Sequence, residues 1–253
     1  MEIERIPTQN YQNRGGYDIM SIILHFTGGG DIDGTMNWFK NPKSKVSSHY
    51  IVSRSGRVIQ MVDEWAAAWH VRDSGKLNNV TKLNKKSIGI EMCNWGWLFE
   101  APEDSEVEFN GKTYQRKAGQ FYTCLRKWSY PYVGPKPVRH TVTSKVLTKN
   151  KNPFPGGNTC WWWEPYTEAQ LESVITLVED IQFRRPKITE KWIAKHQDVE
   201  PKRKLDPGPC FNLEFKDYDK EIKISSTGET VTEEEMAAMY EPRSSIKKWS
   251  CFS

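Results

Sequence analysis

The sequence lacks the marks of a disulfide scaffold and of a membrane protein. Its five cysteines, Cys93, Cys124, Cys160, Cys210 and Cys251, are odd in number, widely spaced and never arranged as CxxC. This argues against a disulfide framework and for synthesis in a reducing compartment. No apolar run approaches the roughly 20 residues that a membrane-spanning helix requires. The opening stretch MEIERIPTQNYQNRGGYDIM has no apolar signal core, so the expectation is synthesis in the cytoplasm without a signal peptide. Internal repeats and low-complexity linkers are also missing. An excess of one charge is nearly so, at a net +4 over 253 residues, and the Lys and Arg residues form no stripe interleaved with aromatics. This argues against a dedicated nucleic-acid binder, although mild basicity suits an anionic polymer as partner.

What is present is an ordinary soluble composition, 37% apolar and 27% charged, with eleven tryptophans as the one oddity. Such a chain can bury its own core. Most of the indoles are expected to fill it, while some could stack on flat faces such as those of sugars. From Ile19 to Trp97 the pattern is strand-rich: IMSIILHFT is an apolar run ended by GGG, HYIVSR and RVIQMV flank a tight turn, and KSIGIEMC reads as a buried strand. The region from Phe99 to Trp163 has little periodicity. Within it, VEFNGKTY carries the Asn-Gly of a two-residue hairpin, and Arg116–Trp128 reads as a helix. YTEAQLESVITLVEDI is the clearest helix, with Thr167 as its cap, Tyr166 and Leu171 as a staple, and Leu171, Val174, Ile175 and Val178 on one face. KWIAKHQD can carry a last short strand, and the polar stretch beyond it has one candidate helix, TEEEMAAMY. Strands mixed with helices imply an α/β layered domain.

Two histidines and an aspartate stand out chemically. His25 ends an apolar strand, and His196 follows another, so both can lie at the rim of one sheet where loops converge. Asp206 closes the turn-rich stretch KHQDVEPKRKLD. Two imidazoles and one carboxylate are a usual ligand set for a catalytic zinc, which leaves a fourth position for water and lowers that water's pKa to about 7. The spacing is no short helical motif, so surface or core histidines, and a phosphate site made from the adjoining cations, remain open on the residues alone.

The blocks IILHFTGG, SSHYIVSRSGRVIQMVDEWAAAWHV, SIGIEMCNWG, YTEAQLESVITLV and KHQDVEPKRKLDPGPCFN occur in the order found in the type 2 N-acetylmuramoyl-L-alanine amidases. This chain resembles that zinc family, which includes phage endolysins and is related to peptidoglycan recognition proteins. The resemblance implies a mixed central β-sheet flanked by helices, with an inserted subdomain at about 98–163, inside a catalytic domain over 1–216 followed by a polar tail over 217–253. It implies one zinc ion per chain, held by His25, His196 and Asp206, with Cys210 outside the ligand set. Glu91 matches the acid that serves the water beside the zinc, and Lys204 matches a lysine that stabilises the oxyanion. His49, Trp69, His70 and Trp95 lie in blocks that border the site and are candidates to touch substrate or to support the ligands, with a structural hydrogen-bonding role equally open for His49 and His70. His140 has no counterpart and is expected at the surface. Trp161 to Trp163 could roof the cleft or pack inside the insertion, with at least one in a core.

The implied function is hydrolysis of the amide between N-acetylmuramic acid and L-alanine in peptidoglycan. The implied partners are glycan strands and stem peptides, with no nucleic acid and no membrane span, and the enzyme is expected to be a monomer. The insertion, the tryptophans and the tail point to a phage-type lytic enzyme, an endolysin or virion component that meets the cell wall after release from the cytoplasm. Two rivals stay in view. One is a non-catalytic peptidoglycan-binding module, against which all three ligand positions and Glu91 are filled. The other is a cytoplasmic amidase that trims anhydro-muropeptides during wall recycling.

Overall fold

In the computed structural model, which describes residues 1–123, 130–144 and 157–215, the runs SIILHF and SIGIEM become neighbouring parallel strands. These are β3 (Ser21–Phe26) and β7 (Ser87–Met92). They lie inside a six-stranded sheet ordered β1-β5-β4-β7-β3-β15, completed by β1 (Ile3–Arg5), β4 (Tyr50–Val52), β5 (Val58–Gln60) and β15 (Ile193–Lys195). The β4–β5 pair is antiparallel and the other pairs are parallel. Near-continuous apolar runs suit such strands because both faces of the sheet are covered.

Successive side chains of a strand alternate between the two faces. Ile22, Leu24, Ile88, Ile90 and Met92 join Val174, Leu177, Val178 and Ile181 of helix α3 (Glu168–Arg184) in the main core. On the opposite face, Ile51 and Ile59 pack with Met36 and Phe39 of α1 (Ile32–Lys40). Ile23 there clusters with Leu83 of α2 (Leu83–Lys86) and Val199 of α4 (His196–Val199). The alternation therefore turns His25 and Glu91 toward this second face, in the gap left between its short helices.

The Thr167 hydroxyl accepts the Gln170 N–H, capping α3 as the sequence predicts. The buried stripe of α3 is shifted from the expected one: Leu177 and Ile181 occupy it, and Ile175 is only half-buried. Helix α1 has no counterpart among the sequence expectations, yet Asp31 caps it by accepting from the N–H groups of Asp33 and Gly34.

Between residues 98 and 163, the described secondary structure is all β. A hairpin of β9 (Ser105–Phe109) and β10 (Lys112–Arg116) turns at Asn110 and Gly111, whose φ angles of 51° and 70° meet the demand of a two-residue turn for positive φ. An antiparallel sheet follows the order β12 (Tyr130–Pro131), β11 (Phe121–Thr123), β8 (Trp97–Glu100), β14 (Gly157–Trp163) and β13 (Val138–Ser144). A third small sheet pairs β2 (Tyr11–Asn13) with β6 (Ala66–Ala68). The helix expected over Arg116–Trp128 is corrected within its described part: Gly119 turns the chain at φ 72°, and Phe121–Thr123 pairs with Leu98–Glu100 as a strand. Its remainder and the candidate helix TEEEMAAMY lie outside the described residues. Trp163 is 1% exposed and belongs to the main core, its ring 5.9 Å from that of Trp97, so the core role expected of one member of the Trp161–Trp163 run falls to it. Among the described residues, no helix is long and apolar enough to cross a membrane.

Gly89 marks a close approach between β7 and the segment after β6. A Cβ there would lie 2.7 Å from Cγ of His70 and 2.8 Å from Oγ of Ser48. Gly89→Ala is expected to destabilise the fold by about 1–3 kcal/mol, as overpacking does, and urea unfolding at equilibrium reads that loss directly.

Candidate metal centre

The register of the sheet assembles the site. His25 and Glu91 sit at paired positions on β3 and β7. Lys195 lies opposite Leu24 on β15, so His196, the next residue, emerges beside His25. The chain then makes the single turn of α4 and loops back, fixed by the Gln197 N–H donating to the Asp206 carbonyl at 2.9 Å. Tyr166 holds the far side of this loop by donating its hydroxyl to the Pro207 carbonyl at 2.8 Å. Trp163 lies close enough to Gly208 that a Cβ there would fall 2.8 Å from its ring. Trp163 and Tyr166, which precede the Thr167 cap of α3, thus shape the turn that presents Asp206.

Three donor atoms converge. Nδ1 of His25 lies 2.7 Å from Nδ1 of His196 and 3.2 Å from Oδ2 of Asp206, and His196 Nδ1 is 2.8 Å from the same oxygen. All three residues are buried, at 1–3% exposure. Among the described residues this is the group whose His, Cys, Asp or Glu atoms gather closely enough to hold a metal ion. Two imidazole nitrogens and one carboxylate oxygen are the donor chemistry of a catalytic zinc.

The outward nitrogen of each imidazole is also engaged. His25 Nε2 is 3.0 Å from Nδ1 of His70, whose Nε2 is 3.1 Å from Oγ of Ser87. His196 Nε2 is 2.7 Å from Oε2 of Glu200. With Nε2 of each ring carrying its proton to these partners, both Nδ1 lone pairs are free to face a cation. Burial, followed by the neighbouring His196, pushes the His25 pKa down to about 3, so that imidazole is neutral. Burial opposes ionisation of Asp206, but its hydrogen bonds to His196 and His25 hold it well below the usual carboxylate range. For His196, burial is outweighed by the Asp206 and Glu200 carboxylates on its two sides, and its pKa is raised. A cation among the three donors would take the place of the proton those carboxylates favour.

Glu91 is half-buried, and its Oε2 is a buried oxygen without a hydrogen-bond partner among the described residues. Burial pushes its carboxyl up to about 7; the Asp206 carboxylate adds to the rise, and Lys204 opposes it. Lys204 Nζ is 3.6 Å from Asp206 Oδ1, on a side chain about one third exposed (32%).

The residues expected to meet substrate divide. His70 touches His25, and Trp69 is half-buried with its backbone N–H bonded to Ser47 Oγ. His49 takes the structural of its two open roles: it has no exposed surface, its Nδ1 accepts the Gly89 N–H at 3.0 Å, and its Nε2 faces the Ala66 carbonyl and Arg14. It braces β7 from inside. Trp95 is 9% exposed, with its backbone N–H donating to Glu164 at 2.6 Å and its ring 5.9 Å from that of Tyr130. His140 is half-buried on β13, opposite Trp161, rather than at the surface. The residue that sequence reasoning missed is Glu200. Its signal was present as the spacing of four residues from His196, which brings two side chains together across one helical turn.

A family profile described as N-acetylmuramoyl-L-alanine amidase (Amidase_2) matches residues 15–209. The chain is similar to N-acetylmuramoyl-L-alanine amidase A of Achromobacter lyticus, 38% identical over 155 residues, which are 58% of this chain and 80% of that protein. It is also similar to N-acetylmuramoyl-L-alanine amidase AmiD of Escherichia coli (strain K12), 26% identical over 200 residues, 76% of this chain and 50% of that one, so it spans half of that relative's length. A crystal structure of a selenomethionine AmpD derivative shares the fold, with a TM-score of 0.50 at 19% identity over 83% of this chain and 90% of that one.

Proposed function

Because the chain belongs to the N-acetylmuramoyl-L-alanine amidase family, we propose that it is a zinc-dependent hydrolase cleaving the amide between the lactyl group of N-acetylmuramic acid and the L-alanine of the stem peptide. The observation that carries this reading is the convergence of His25 Nδ1, His196 Nδ1 and Asp206 Oδ2 beside the unpartnered Oε2 of Glu91. A zinc ion held by those three donors would supply Lewis acidity, making water acidic and polarising the carbonyl.

The chain's own residues do the rest. Glu91, whose carboxyl is pushed up to about 7 by burial, takes a proton from the water that attacks the lactyl carbon. It returns a proton to the alanine nitrogen as the C–N bond breaks, which leaves a carboxylic acid and a free amine. Lys204 supplies positive charge to the carbonyl oxygen as that oxygen becomes anionic. Lys204→Ala is expected to lower kcat about 10²–10³-fold, the usual effect of removing one oxyanion donor, with zinc content unchanged by elemental analysis.

The finer reading is a phage-type lytic enzyme that acts on assembled wall. In favour of it, the insertion adds an entire sheet beside the site, with Trp162 and Phe121 in edge contact at 5.1 Å. The experiment compares intact sacculi with soluble anhydro-muropeptides as substrates, reading released stem peptides by mass spectrometry. Stem peptides bearing a new N-terminal L-alanine, released from sacculi, support the lytic reading. Release from the soluble substrate alone identifies a recycling amidase, and binding to sacculi without release identifies a binding module.

A further inference from the structure

Glu200 stands four residues beyond His196, at the end of the single turn of α4, and is 7% exposed. Its Oε2 is 2.7 Å from His196 Nε2, the nitrogen that does not face the metal centre. Its Oε1 accepts from Arg203 Nε at 2.9 Å, and Arg203 Nη2 closes a second contact on Oε2. The backbone is tied as well: the Glu200 N–H donates to the His196 carbonyl at 2.9 Å, and the Glu200 carbonyl accepts from the N–H groups of Arg203 and Lys204 at 2.9 and 3.0 Å. One carboxylate is thus locked by a guanidinium on one side and aimed at a ligand imidazole on the other.

We propose that Glu200, oriented by Arg203, is a positioning residue for the metal centre: it accepts the Nε2 proton of His196, fixes the ring with Nδ1 toward the cation, and adds a negative charge one imidazole away. The proposal rests on the zinc reading of His25, His196 and Asp206. A carboxylate in this position raises the donor strength of the imidazole and removes the freedom of the ring to turn or to carry its proton on Nδ1. The arrangement also links the ligand to the oxyanion lysine, because the turn that Arg203 and Glu200 close leads directly into Lys204.

The test is the zinc affinity of the folded protein, measured by competition with a chelator of known strength, for Glu200→Gln, Glu200→Ala and Arg203→Ala. Glu200→Ala is expected to weaken zinc binding about 10–100-fold, the range for loss of such a partner. Glu200→Gln, whose amide oxygen can still accept the Nε2 proton without the charge, is expected to weaken it less, and Arg203→Ala less again. Urea unfolding of the same variants without zinc separates this from a purely structural role, which would shift the unfolding midpoint and leave affinity intact. His196→Ala serves as the control. Glu200 variants that bind zinc within about threefold of the parent chain, well short of the effect of an outer partner, while His196→Ala loses it, overturn the proposal alone. Undiminished zinc binding by His196→Ala would instead remove the zinc reading beneath it.

Discussion

Glu91→Gln is expected to lower kcat by about 10²–10⁴-fold, the contribution of a positioned general base, while zinc affinity stays within a small factor of the parent. Glutamine preserves the size and the hydrogen-bonding oxygen of the side chain, so packing against β3 and β4 persists and only proton transfer is lost. The pH profile gives an independent reading. Burial pushes the Glu91 carboxyl up to about 7, and a general base works only when deprotonated. The rate must therefore fall as pH drops through this pKa. A bound dication pulls the same pKa down, so the acid limb of kcat/KM lies below neutral in the parent and is absent from the residual activity of Glu91→Gln. A variant of nearly full activity would remove Glu91 as the base, and an unchanged acid limb would assign that limb to another group.

His196→Ala is expected to abolish activity and metal retention together. Two of three protein donors cannot hold the ion as three do, and the loss should exceed the roughly 10–100-fold penalty for disturbing an outer partner. The variant also strands Glu200 and Asp206, two buried carboxylates at 7% and 3% exposure, without the imidazole that lay between them. Thermal unfolding with and without zinc separates these effects. Zinc at about 100 times its dissociation constant should stabilise the parent by about 2.7 kcal/mol through linkage, and the stabilisation should vanish in His196→Ala. Zinc-dependent stabilisation that survives the substitution would place the ion elsewhere.

The contrast between Glu91 and His196 shows what was readable beforehand. The apolar runs SIILHF and SIGIEM predict buried strands, and their register then puts His25 beside Glu91; the pairing itself is a tertiary fact that no local pattern contains. Helix α3 and its cap were legible because capping and a 3.6-residue period are local properties. The expected helix over Arg116–Trp128 failed over its described residues because pairing with β8 overrode a weak helical preference. Gly119, unfavourable by about 1 kcal/mol inside a helix, was the warning. Helix α1 escaped because Gly34 and the short apolar stripe of IDGTMNWFK hid a period that its Asp31 cap supports. At the site, the residues alone raised His25, His196 and Asp206 as one of several readings, and the resemblance singled that reading out and added Glu91 and Lys204. Glu200 was missed because a glutamate within a charged stretch usually reads as a solvated face, and only burial distinguishes it. His49 stayed open between two roles for the matching reason: a histidine near a site and one bonded inside the sheet look alike in sequence.

The central claim is that His25, His196 and Asp206 hold a zinc ion on which amide hydrolysis depends. Its most direct test is zinc stoichiometry measured alongside hydrolysis of muramoyl-L-alanine linkages, before chelation, after chelation and after restoration of the metal. The account predicts about one zinc per chain, as three protein ligands with one open position imply, with activity lost on chelation and recovered in proportion to zinc returned. Full hydrolysis by protein stripped of metal would contradict it.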